Sequence, residues 1–337
     1  MENLRNLVDQ ILVPHTAFMR ATAKVEQCIK SVDGKNEPIC LALIGESRTG
    51  KSRVQEYIEA AYPIVRLDDG LSVPVFRVST PSMPTVMGLV EIMLEAMGDP
   101  KFDKGTERVK TIRLRKLLRN ARTKMVVLDE FQHFYDKGSH KIWHYVADWL
   151  KILVDQAKVA LLVGGLPSCK TVIDQNEQLT GRFLAPVMMP RFDWRNDNSR
   201  GEFISILSAF QEVLAKHFDI PCLDEEEMSF RCYCATGGLI GYLAKFLRQA
   251  VWNAIDAGSP VISLEDLAQA HGEAVWAQER TSDMPSPFDR SFAVTPTEEL
   301  LAQVRRIGES ALEPERHRRI RPRNAPSPSI SEVLSAS

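Results

Sequence analysis

Long hydrophobic runs are missing from this sequence of 337 residues. No stretch approaches the roughly 20 consecutive apolar residues that a membrane-spanning helix requires. The N-terminus MENLRNLVDQ carries Glu2 and Asp9, where a signal peptide would have a basic start and an apolar core. We therefore expect a soluble cytoplasmic protein with no membrane partner.

Cysteines are few and are not arranged in pairs. The six of them are Cys28, Cys40, Cys169, Cys222, Cys232 and Cys234. Because no CxxC pair and no matching Cys/His spacing occurs, the sequence indicates neither a zinc site nor a disulfide framework. A reducing compartment fits this pattern best.

An excess of one charge sign is also missing. Lys and Arg total 42 against 44 Asp and Glu, which gives a net charge of −2. This balance excludes a uniformly basic protein that coats nucleic acid. A local basic surface remains compatible with it.

Short apolar runs alternate with segments of helical periodicity in the first part of the chain. Four such runs cover residues 39–44, 73–78, 125–129 and 159–163, and residues 187–192 form a weaker fifth. Parallel strands need crossover connections, and the crossover helices cover the faces of the sheet. The pattern therefore predicts an α/β fold with a parallel sheet flanked by helices.

The strand pattern stops near residue 198. Helical periodicity dominates from there to about residue 277, which predicts a small helical subdomain. Beyond it Pro, Ser and Arg are frequent, and the only helical pattern is TPTEELLAQVRRIGESAL. We divide the chain into an N-terminal helical segment (1–35), an α/β domain (36–197), a helical lid (198–277) and a largely flexible C-terminal extension (278–337).

A phosphate-binding motif follows the first apolar run. GxxxxGK[ST] is matched at every fixed position, and the helical segment SRVQEYIEAAY continues from it. The backbone N–H groups of such a loop bind phosphate, its lysine reaches the β- and γ-phosphates, and its hydroxyl ligates Mg²⁺. The residues predicted to bind ATP here are Gly45, Glu46, Ser47, Arg48, Thr49, Gly50, Lys51, Ser52 and Arg53.

An acidic pair ends the apolar run MVVLDE. Asp129 is predicted to hold Mg²⁺ together with Ser52, directly or through water. Glu130 comes next, where a carboxylate can polarise an attacking water, so the pair favours a hydrolase over a small-molecule kinase. Because a further strand separates the two motifs along the chain, their strands are not consecutive in sequence. Together the motifs predict ATP hydrolysis.

Several segments go beyond a generic phosphate-binding motif. They are PHTAFMRATAKVEQCI, LALIGESRTGKSRV, MVVLDEFQHF, LLVGGLP, LTGRF and TGGLIGYLAKFLRQA. With these motifs, between residues 10 and 275, the chain resembles AAA+ ATPases of the TniB/TnsC type, which regulate transposition in target-selecting transposons, including CRISPR-associated ones. The resemblance implies an AAA+ P-loop domain with a helical lid, and a homo-oligomeric ring or helical filament on double-stranded DNA. It also implies links to transposase subunits and to a target selector of the TniQ type, on the nucleoid of a bacterial cell.

The resemblance also implies roles for single residues. Lys51 and Ser52 contact phosphate and Mg²⁺, while Asp129 and Glu130 act as metal ligand and water-polarising base. Arg182, in the segment LTGRF, is the implied arginine finger, which reaches the γ-phosphate bound by a neighbouring subunit.

Two segments depart from the wider AAA+ pattern. The segment VALLVGGLPS has glycines where many relatives have a polar sensor residue, which leaves Ser168 as a poor substitute. The lid segment TGGLIG lacks the arginine that many initiator-type ATPases place there. These departures predict slow intrinsic turnover without loss of ATP binding, with Arg48 and Arg53 as partial compensation.

Positive charge is concentrated in one segment. Ten basic and two acidic residues lie between Lys101 and Lys124. A helix is predicted to start at Thr106, with Val109, Ile112, Leu117 and Leu118 facing the sheet. The other faces are predicted to bind DNA phosphates without sequence specificity, chiefly through Lys101, Lys104, Thr106 and Arg108. An Arg-rich stretch at residues 316–323 is a second positive element.

Three other hypotheses remain open. A replication initiator or helicase loader would share the site chemistry and the basic surface. A small-molecule phosphotransferase would use the same loop, but predicts a second substrate pocket and no dependence on DNA. A signalling NTPase switch would have no use for the basic segment.

Overall fold

A parallel sheet of five strands, covered by helices on both faces, forms the first part of the computed structural model. The structure describes residues 2–34, 37–82, 84–275 and 284–308. In chain order the strands are β1 (Leu41–Ile44), β2 (Val65–Leu67), β3 (Gly70–Ser72), β4 (Val75–Ser79), β5 (Met125–Asp129), β6 (Ala160–Gly165) and β7 (Val187–Met188). The order across the sheet is β4-β5-β6-β1-β7, and β2 and β3 form a separate antiparallel hairpin.

The predicted α/β class is confirmed, and all five predicted strands are present. The hairpin was not predicted, because its strands have three residues each and are largely exposed. Such short strands carry no alternating apolar pattern.

Helices surround the sheet and then form the lid. Those in the first part are α1 (Glu2–Arg5), α2 (Leu7–Gln10), α3 (Thr16–Ser31), α4 (Lys51–Ala61), α5 (Val86–Ala96), α6 (Glu107–Asn120), α7 (His133–Lys137), α8 (His140–Ala157), α9 (Cys169–Ile173) and α10 (Glu177–Thr180). Those in the second part are α11 (Asp197–Leu214), α12 (Glu226–Thr236), α13 (Ile240–Ala257), α14 (Leu264–Ala274) and α15 (Glu298–Arg305). No helix among the described residues is long and apolar enough to cross a membrane.

Two apolar layers bury the sheet. Alternate residues of β1 point to opposite faces, so that Leu41 and Leu43 pack with α3 and α4, while Ala42 and Ile44 face α5, α6 and α8. All five residues of β5 are buried. A strand covered on both faces reads as a continuous apolar run, which explains why the strands were visible in the sequence.

The N-terminal segment belongs to both parts of the molecule. Helix α3 packs on the sheet through Phe18 and Val25. Val8 of α2 is buried in the core of the lid, and the indole nitrogen of Trp252 on α13 donates a 2.8 Å hydrogen bond to the carbonyl of Arg5. Residues 2–34 therefore contact both the sheet and the lid.

Residues 284–308, which we call the C-terminal segment, pack on the lid. They lie within the range 278–337 that was expected to be largely flexible, and for this part the structure corrects the expectation. The ring of Phe288 stacks on Phe246 with centroids 5.0 Å apart, and Phe292, Leu301 and Val304 are buried in the same core. Phe288 and Phe292 stand singly in a segment rich in Pro and Ser, so no periodicity marks them in the sequence, whereas Leu301 and Val304 belong to the predicted helical pattern. The Arg-rich stretch at 316–323 lies outside the described residues.

Helix α6 turns a different face to the sheet from the one predicted. Thr106 caps the helix as expected, by accepting a hydrogen bond from the Val109 amide. The buried side chains are Lys110, Leu114 and Leu118, whereas Val109 and Ile112 are exposed. The prediction is confirmed for Leu118, which is buried, and Leu117 also packs against the core. It was wrong for Val109 and Ile112, because Lys110 is buried instead and forms an ion pair with Glu91 on α5, which makes burial of a lysine tolerable.

Phe288→Ala tests whether the C-terminal segment is part of the fold. Removal of this buried ring should lower the free energy of unfolding by about 3–5 kcal/mol. Thr295→Ala is the control, since Thr295 lies in the same segment but is exposed. Urea denaturation measures both; equal stability of the two variants would contradict the packing described above.

Candidate functional site

Residues 45–52, the phosphate loop, connect β1 to α4 at the carboxyl edge of the sheet. Two glycines are needed for its path. A Cβ atom on Gly45 would lie 2.2 Å from the carbonyl oxygen of Met189, and Gly50 has a φ of 95°, which side chains disfavour. The loop therefore closes tightly over the end of β1 before α4 begins at Lys51.

The Lys51 ammonium group lies inside the curve of the phosphate loop. Its Nζ donates to the carbonyl oxygens of Gly45 at 2.8 Å and Glu46 at 2.6 Å. Burial lowers the pKa of Lys51, although the nearby carboxylates of Glu130 and Asp129 act in the opposite direction. The loop thus holds a partly desolvated cation next to two carboxylates.

The sheet order brings Ser52 and Asp129 together. Strand β6 lies between β1 and β5. At the ends of these strands, Ser52 Oγ lies 3.5 Å from Asp129 Oδ2. The same carboxylate oxygen accepts a hydrogen bond from Arg77 of β4 at 3.0 Å. Arg77 was not predicted; its only signal in the sequence is its place near the end of the strand adjacent to the acidic pair.

Arg77 is held by two carboxylates. Its second partner is Glu59 of α4, at 3.2 Å. Burial lowers the pKa of Arg77, but its hydrogen bonds to Asp129 and Glu59 outweigh this effect and the net shift is upward. Arg77 therefore remains a fixed positive charge beside Asp129.

Glu130 has a strained backbone. Its φ is 53°, in the left-handed region that glutamate rarely adopts, and its side chain is exposed beside the phosphate loop. The side-chain amide of Gln132 donates to the Glu130 carboxylate, and its oxygen accepts from the Leu166 amide at 3.2 Å. Gln132 thus ties Glu130 to the end of β6, a role that sequence analysis missed.

The glycines at the end of β6 have a steric explanation. A Cβ on Gly164 would lie 2.3 Å from the amide nitrogen of Gln55, and one on Gly165 would lie 2.4 Å from the side-chain oxygen of Gln132. A larger residue at either position would have to displace these side chains. Gln132 occupies the space beside Gly165, while Ser168 is not among the residues that line the adjacent cavity.

A cavity of about 630 Å³ opens next to the phosphate loop, a size typical of small-molecule sites. Its polar end is lined by Ser47, Arg48, Gly50, Lys51, Ser52, Arg53, Glu130 and Gln132. Its apolar end is lined by Val8, Ile11, Leu12, Val13, Phe18, Phe210, Ile240 and Ala244. Four of the predicted nucleotide-binding residues do not line the cavity and lie behind those that do: Gly45, Glu46, Thr49 and Asp129.

His15 stands between the two ends of the cavity. Its ring packs against Phe192 with centroids 5.4 Å apart. Burial lowers the pKa of His15 more than the nearby Glu202 raises it. The ring is therefore neutral at neutral pH, and the carboxylate residues Asp9 and Glu56 also line the cavity.

The lid touches the phosphate loop at Gly241. The Gly241 amide donates to the Arg48 carbonyl at 2.9 Å, and a Cβ on Gly241 would lie 2.9 Å from Arg48 Cβ. The Arg48 guanidinium lies over the Tyr242 ring, 4.6 Å from its centroid. A side chain at position 241 would therefore collide with the phosphate loop.

Arg182 lies at the opposite edge of the sheet. Its carbonyl accepts from the Cys40 amide at the start of β1, about 16 Å along the strand from the phosphate loop. Its guanidinium forms ion pairs with Glu37 and Asp155, both at 2.7 Å. It therefore cannot contact a nucleotide held by its own subunit.

Three of the predicted DNA-binding residues, Lys101, Lys104 and Thr106, lie in residues 99–106, which we call the basic loop. The fourth, Arg108, follows in the first turn of α6. The Arg113 guanidinium organises this loop by donating to the carbonyls of Lys101 at 2.5 Å and Lys104 at 3.1 Å, and by pairing with Asp99 at 3.0 Å. The side chains of Lys101, Lys104, Thr106 and Arg108 are exposed. The structure thus brings the four residues together on one ordered turn.

The basic loop lies toward the same end of the sheet as the phosphate loop, the end at which the parallel strands finish. Helix α6 ends where Ala121 and Lys124 form backbone hydrogen bonds with the starts of β4 and β6, at the amino edge. Its 14 residues then place Thr106 about 20 Å away, toward the carboxyl edge.

Several other basic residues of this region are engaged within the chain. Lys110 pairs with Glu91, Arg122 with Asp69 and Lys124 with Asp33, while Arg119 donates to the carbonyl of Gln156. The positive surface is therefore smaller than the sequence suggested and is centred on the basic loop.

Comparison with known proteins identifies relatives of this chain. A family model described as Bacterial TniB protein matches residues 4–194, which is more than half of the sequence. No curated protein matches the chain as a relative. The matched range contains the phosphate loop, the acidic pair, the basic loop and Arg182.

Solved structures share the fold at low sequence identity. The ORC2 protein of Aeropyrum pernix, in ADPNP–ADP complexes, is 16% identical with a TM-score of 0.59, covering 81% of this chain and 73% of its own. Cdc6p of Pyrobaculum aerophilum is 13% identical with a TM-score of 0.55, covering 82% and 72%. The Aeropyrum pernix ORC1 protein in complex with DNA is 14% identical with a TM-score of 0.54, covering 82% and 70%. The fold is therefore the AAA+ P-loop fold with a helical lid.

Gly241→Ala tests the contact between the lid and the phosphate loop. Its Cβ should push α13 away from Arg48 and lower the free energy of unfolding. Gly201→Ala is the control, because that glycine lies inside α11 with nothing within 4 Å of the added atom. It should stabilise the protein by about 0.5–1 kcal/mol. Thermal unfolding distinguishes the two, and equal stabilisation by both substitutions would contradict the close contact.

Proposed function

This chain belongs to the TniB family of bacterial proteins, whose model matches residues 4–194, and from that premise we propose that it is an ATP-hydrolysing regulator of transposition that assembles on duplex DNA. One observation carries the ATPase part of the proposal. The cation of Lys51, the Ser52 hydroxyl and the Glu130 carboxylate line one cavity, and the Asp129 carboxylate lies 3.5 Å from the Ser52 hydroxyl behind it. Phosphate chemistry requires these groups together.

The two ends of the cavity match the two ends of ATP. The phosphates would lie on the phosphate loop, where Lys51 exchanges its carbonyl partners for phosphate oxygens. The base and ribose would lie among the apolar side chains of α2, α3 and the lid, beside the neutral ring of His15. Hard oxygen donors suit Mg²⁺, and Ser52 and Asp129 are already adjacent. Bound there, the ion would offset negative charge on the phosphates.

Hydrolysis would depend on Glu130 and on the residues that hold it. The exposed Glu130 carboxylate, next to Lys51, would accept a proton from the attacking water or polarise it. Gln132 fixes the orientation of that carboxylate, and Arg77 holds Asp129 in place beside it. With no polar residue at the end of β6 and no lid arginine, we expect slow turnover in an isolated subunit.

Assembly would supply the missing cation. Arg182 would act on the γ-phosphate of a neighbouring subunit, in a homo-oligomeric ring or filament. To do so it must exchange its ion pairs with Glu37 and Asp155 for the neighbour's phosphate. Hydrolysis would then depend on contact between subunits, as the resemblance to this class of ATPases implies.

Duplex DNA would bind at the basic loop. Three cations and the start of α6 face solvent there on a turn that Arg113 keeps ordered, which favours phosphate contacts without base recognition. One structure with the same fold is described as an ORC1 protein in complex with DNA. On this proposal the assembled protein links a TniQ-type target selector to transposase subunits. The second candidate is a replication initiator or helicase loader, because the Orc and Cdc6 proteins share the fold.

ATP-driven assembly is tested with two site variants. Glu130→Gln should retain ATP binding, stabilise the assembly on DNA and slow hydrolysis by about 10²-fold or more. Lys51→Ala should lose ATP binding and assembly altogether. Glu95→Gln, an exposed change of the same kind on α5, is the control. The measurements are phosphate release and particle size with ATP, with and without duplex DNA.

The outcomes separate the competing hypotheses. Assembly that needs both ATP and DNA supports the proposal, whereas ATP hydrolysis that is independent of DNA favours a phosphotransferase or a signalling switch. If Glu130→Gln and Lys51→Ala lose ATP binding equally, Glu130 is not the base.

Charge reversal tests the DNA surface. Lys104→Glu combined with Arg108→Glu should weaken binding to duplexes of any sequence and reduce the slope of log affinity against log salt by about two. Nucleotide affinity should not change. Lys30→Glu combined with Lys216→Glu alters the net charge equally at exposed positions elsewhere. DNA affinity that falls equally in both double variants would place the interface outside the basic loop.

A further inference from the structure

Arg191 connects the phosphate loop to two distant parts of the chain. It follows β7 and is buried. Its Nε donates to the Glu46 carboxylate at 2.9 Å, and a second nitrogen contacts the same oxygen. Its remaining nitrogen donates to the carbonyls of Gly237 at 3.3 Å, Arg305 at 2.8 Å and Ile307 at 3.0 Å. One side chain thus binds the phosphate loop, the lid turn and the C-terminal segment.

Glu46 contacts both Lys51 of the phosphate loop and Arg191. Its carboxylate is the ionic partner of Arg191, and its own carbonyl accepts from Lys51 Nζ at 2.6 Å. A phosphate that draws Lys51 away releases this carbonyl. A change at the phosphate site therefore reaches Arg191 through a single residue.

The end of the C-terminal segment is closely fitted to the lid turn. A Cβ on Gly237 would lie 2.9 Å from Ile307, and one on Gly308 would lie 2.6 Å from Leu239. The Cβ on Gly308 would also lie 3.3 Å from the ring of Tyr242. The Arg48 guanidinium lies over that same ring. The segment therefore cannot shift without disturbing residues that contact the phosphate loop.

We propose that Arg191 is a positioning residue that couples nucleotide binding at the phosphate loop to docking of the C-terminal segment. The proposal rests on the proposed ATP site and adds a regulatory output to it. Carbonyl groups at the end of α15 satisfy the buried guanidinium only when the segment is docked, and Glu46 neutralises it only when the phosphate loop keeps its shape. Loss of either partner leaves a buried charge incompletely paired, so the two states stabilise each other.

The coupling substitutes for the missing lid arginine. In this chain the lid start at Gly241 has no room for a side chain, whereas Arg191 reaches both the loop and the lid turn from β7. The presence of nucleotide would then change how firmly residues 298–308 are docked on the lid.

Hydrogen exchange of the full-length protein tests the coupling. With ATP and Mg²⁺, amides of residues 299–308 should become at least about five-fold more protected in the wild type. Arg191→Gln should bind ATP but lose this nucleotide-dependent protection, because the shorter neutral side chain cannot hold Glu46 and the Arg305 and Ile307 carbonyls at once. Arg195→Gln is the matched control, since it removes an exposed ion pair with Glu298 of α15. It should keep the full response.

Reciprocity gives a second test that leaves the phosphate loop intact. Ile307→Asp places a carboxylate at a buried position against Gly237, which should undock the segment and weaken ATP affinity by about ten-fold. Ala302→Asp adds the same charge on the exposed face of α15 and should change the affinity by less than about two-fold. A fluorescent ATP analogue measures both affinities.

Failure of the coupling is distinct from failure of the proposed function. A wild type that does not bind ATP refutes the ATP site and the coupling together. A wild type that binds ATP while residues 299–308 show no change in exchange, or an Arg191→Gln variant that keeps the change, refutes the coupling alone. Equal ATP affinities for Ile307→Asp and Ala302→Asp would also refute it.

Discussion

The position of β6 between β1 and β5 is the constraint on which the candidate site depends. Parallel strands end at one edge of the sheet, so this order places the phosphate loop and the acidic pair on either side of a single strand. The distance of 3.5 Å between Ser52 and Asp129 follows from it. The close packing around Gly164 and Gly165 follows as well, because side chains from both motifs meet above that strand.

Absent residues in this protein have local physical causes. The glycines at the end of β6 leave space for Gln55 and Gln132, and Gly241 leaves space for the backbone of Arg48. Gln132 and Arg191 come from neighbouring elements and contact Glu130 and Glu46.

Much of the fold was predictable, and the exceptions share a cause. Strands buried on both faces, such as β5, are apolar throughout and were found from the sequence. The face that α6 turns to the sheet was not, since burial of Lys110 depends on Glu91 from another helix. The docking of Phe288 and Phe292 was also missed, because single aromatic residues in a Pro- and Ser-rich segment show no period.

The sequence by itself determined the chemistry of the site: a phosphate loop with Lys51 and Ser52, an acidic pair, and a basic segment within a neutral chain. These signals are local, since a few adjacent residues carry each of them. Only the tertiary structure decided how they are arranged. It placed Arg77 beside Asp129, engaged Arg182 at the far edge of the sheet and joined Glu46 to the C-terminal segment through Arg191. Those contacts join residues 27 to 145 positions apart, and no local pattern specifies such a pairing.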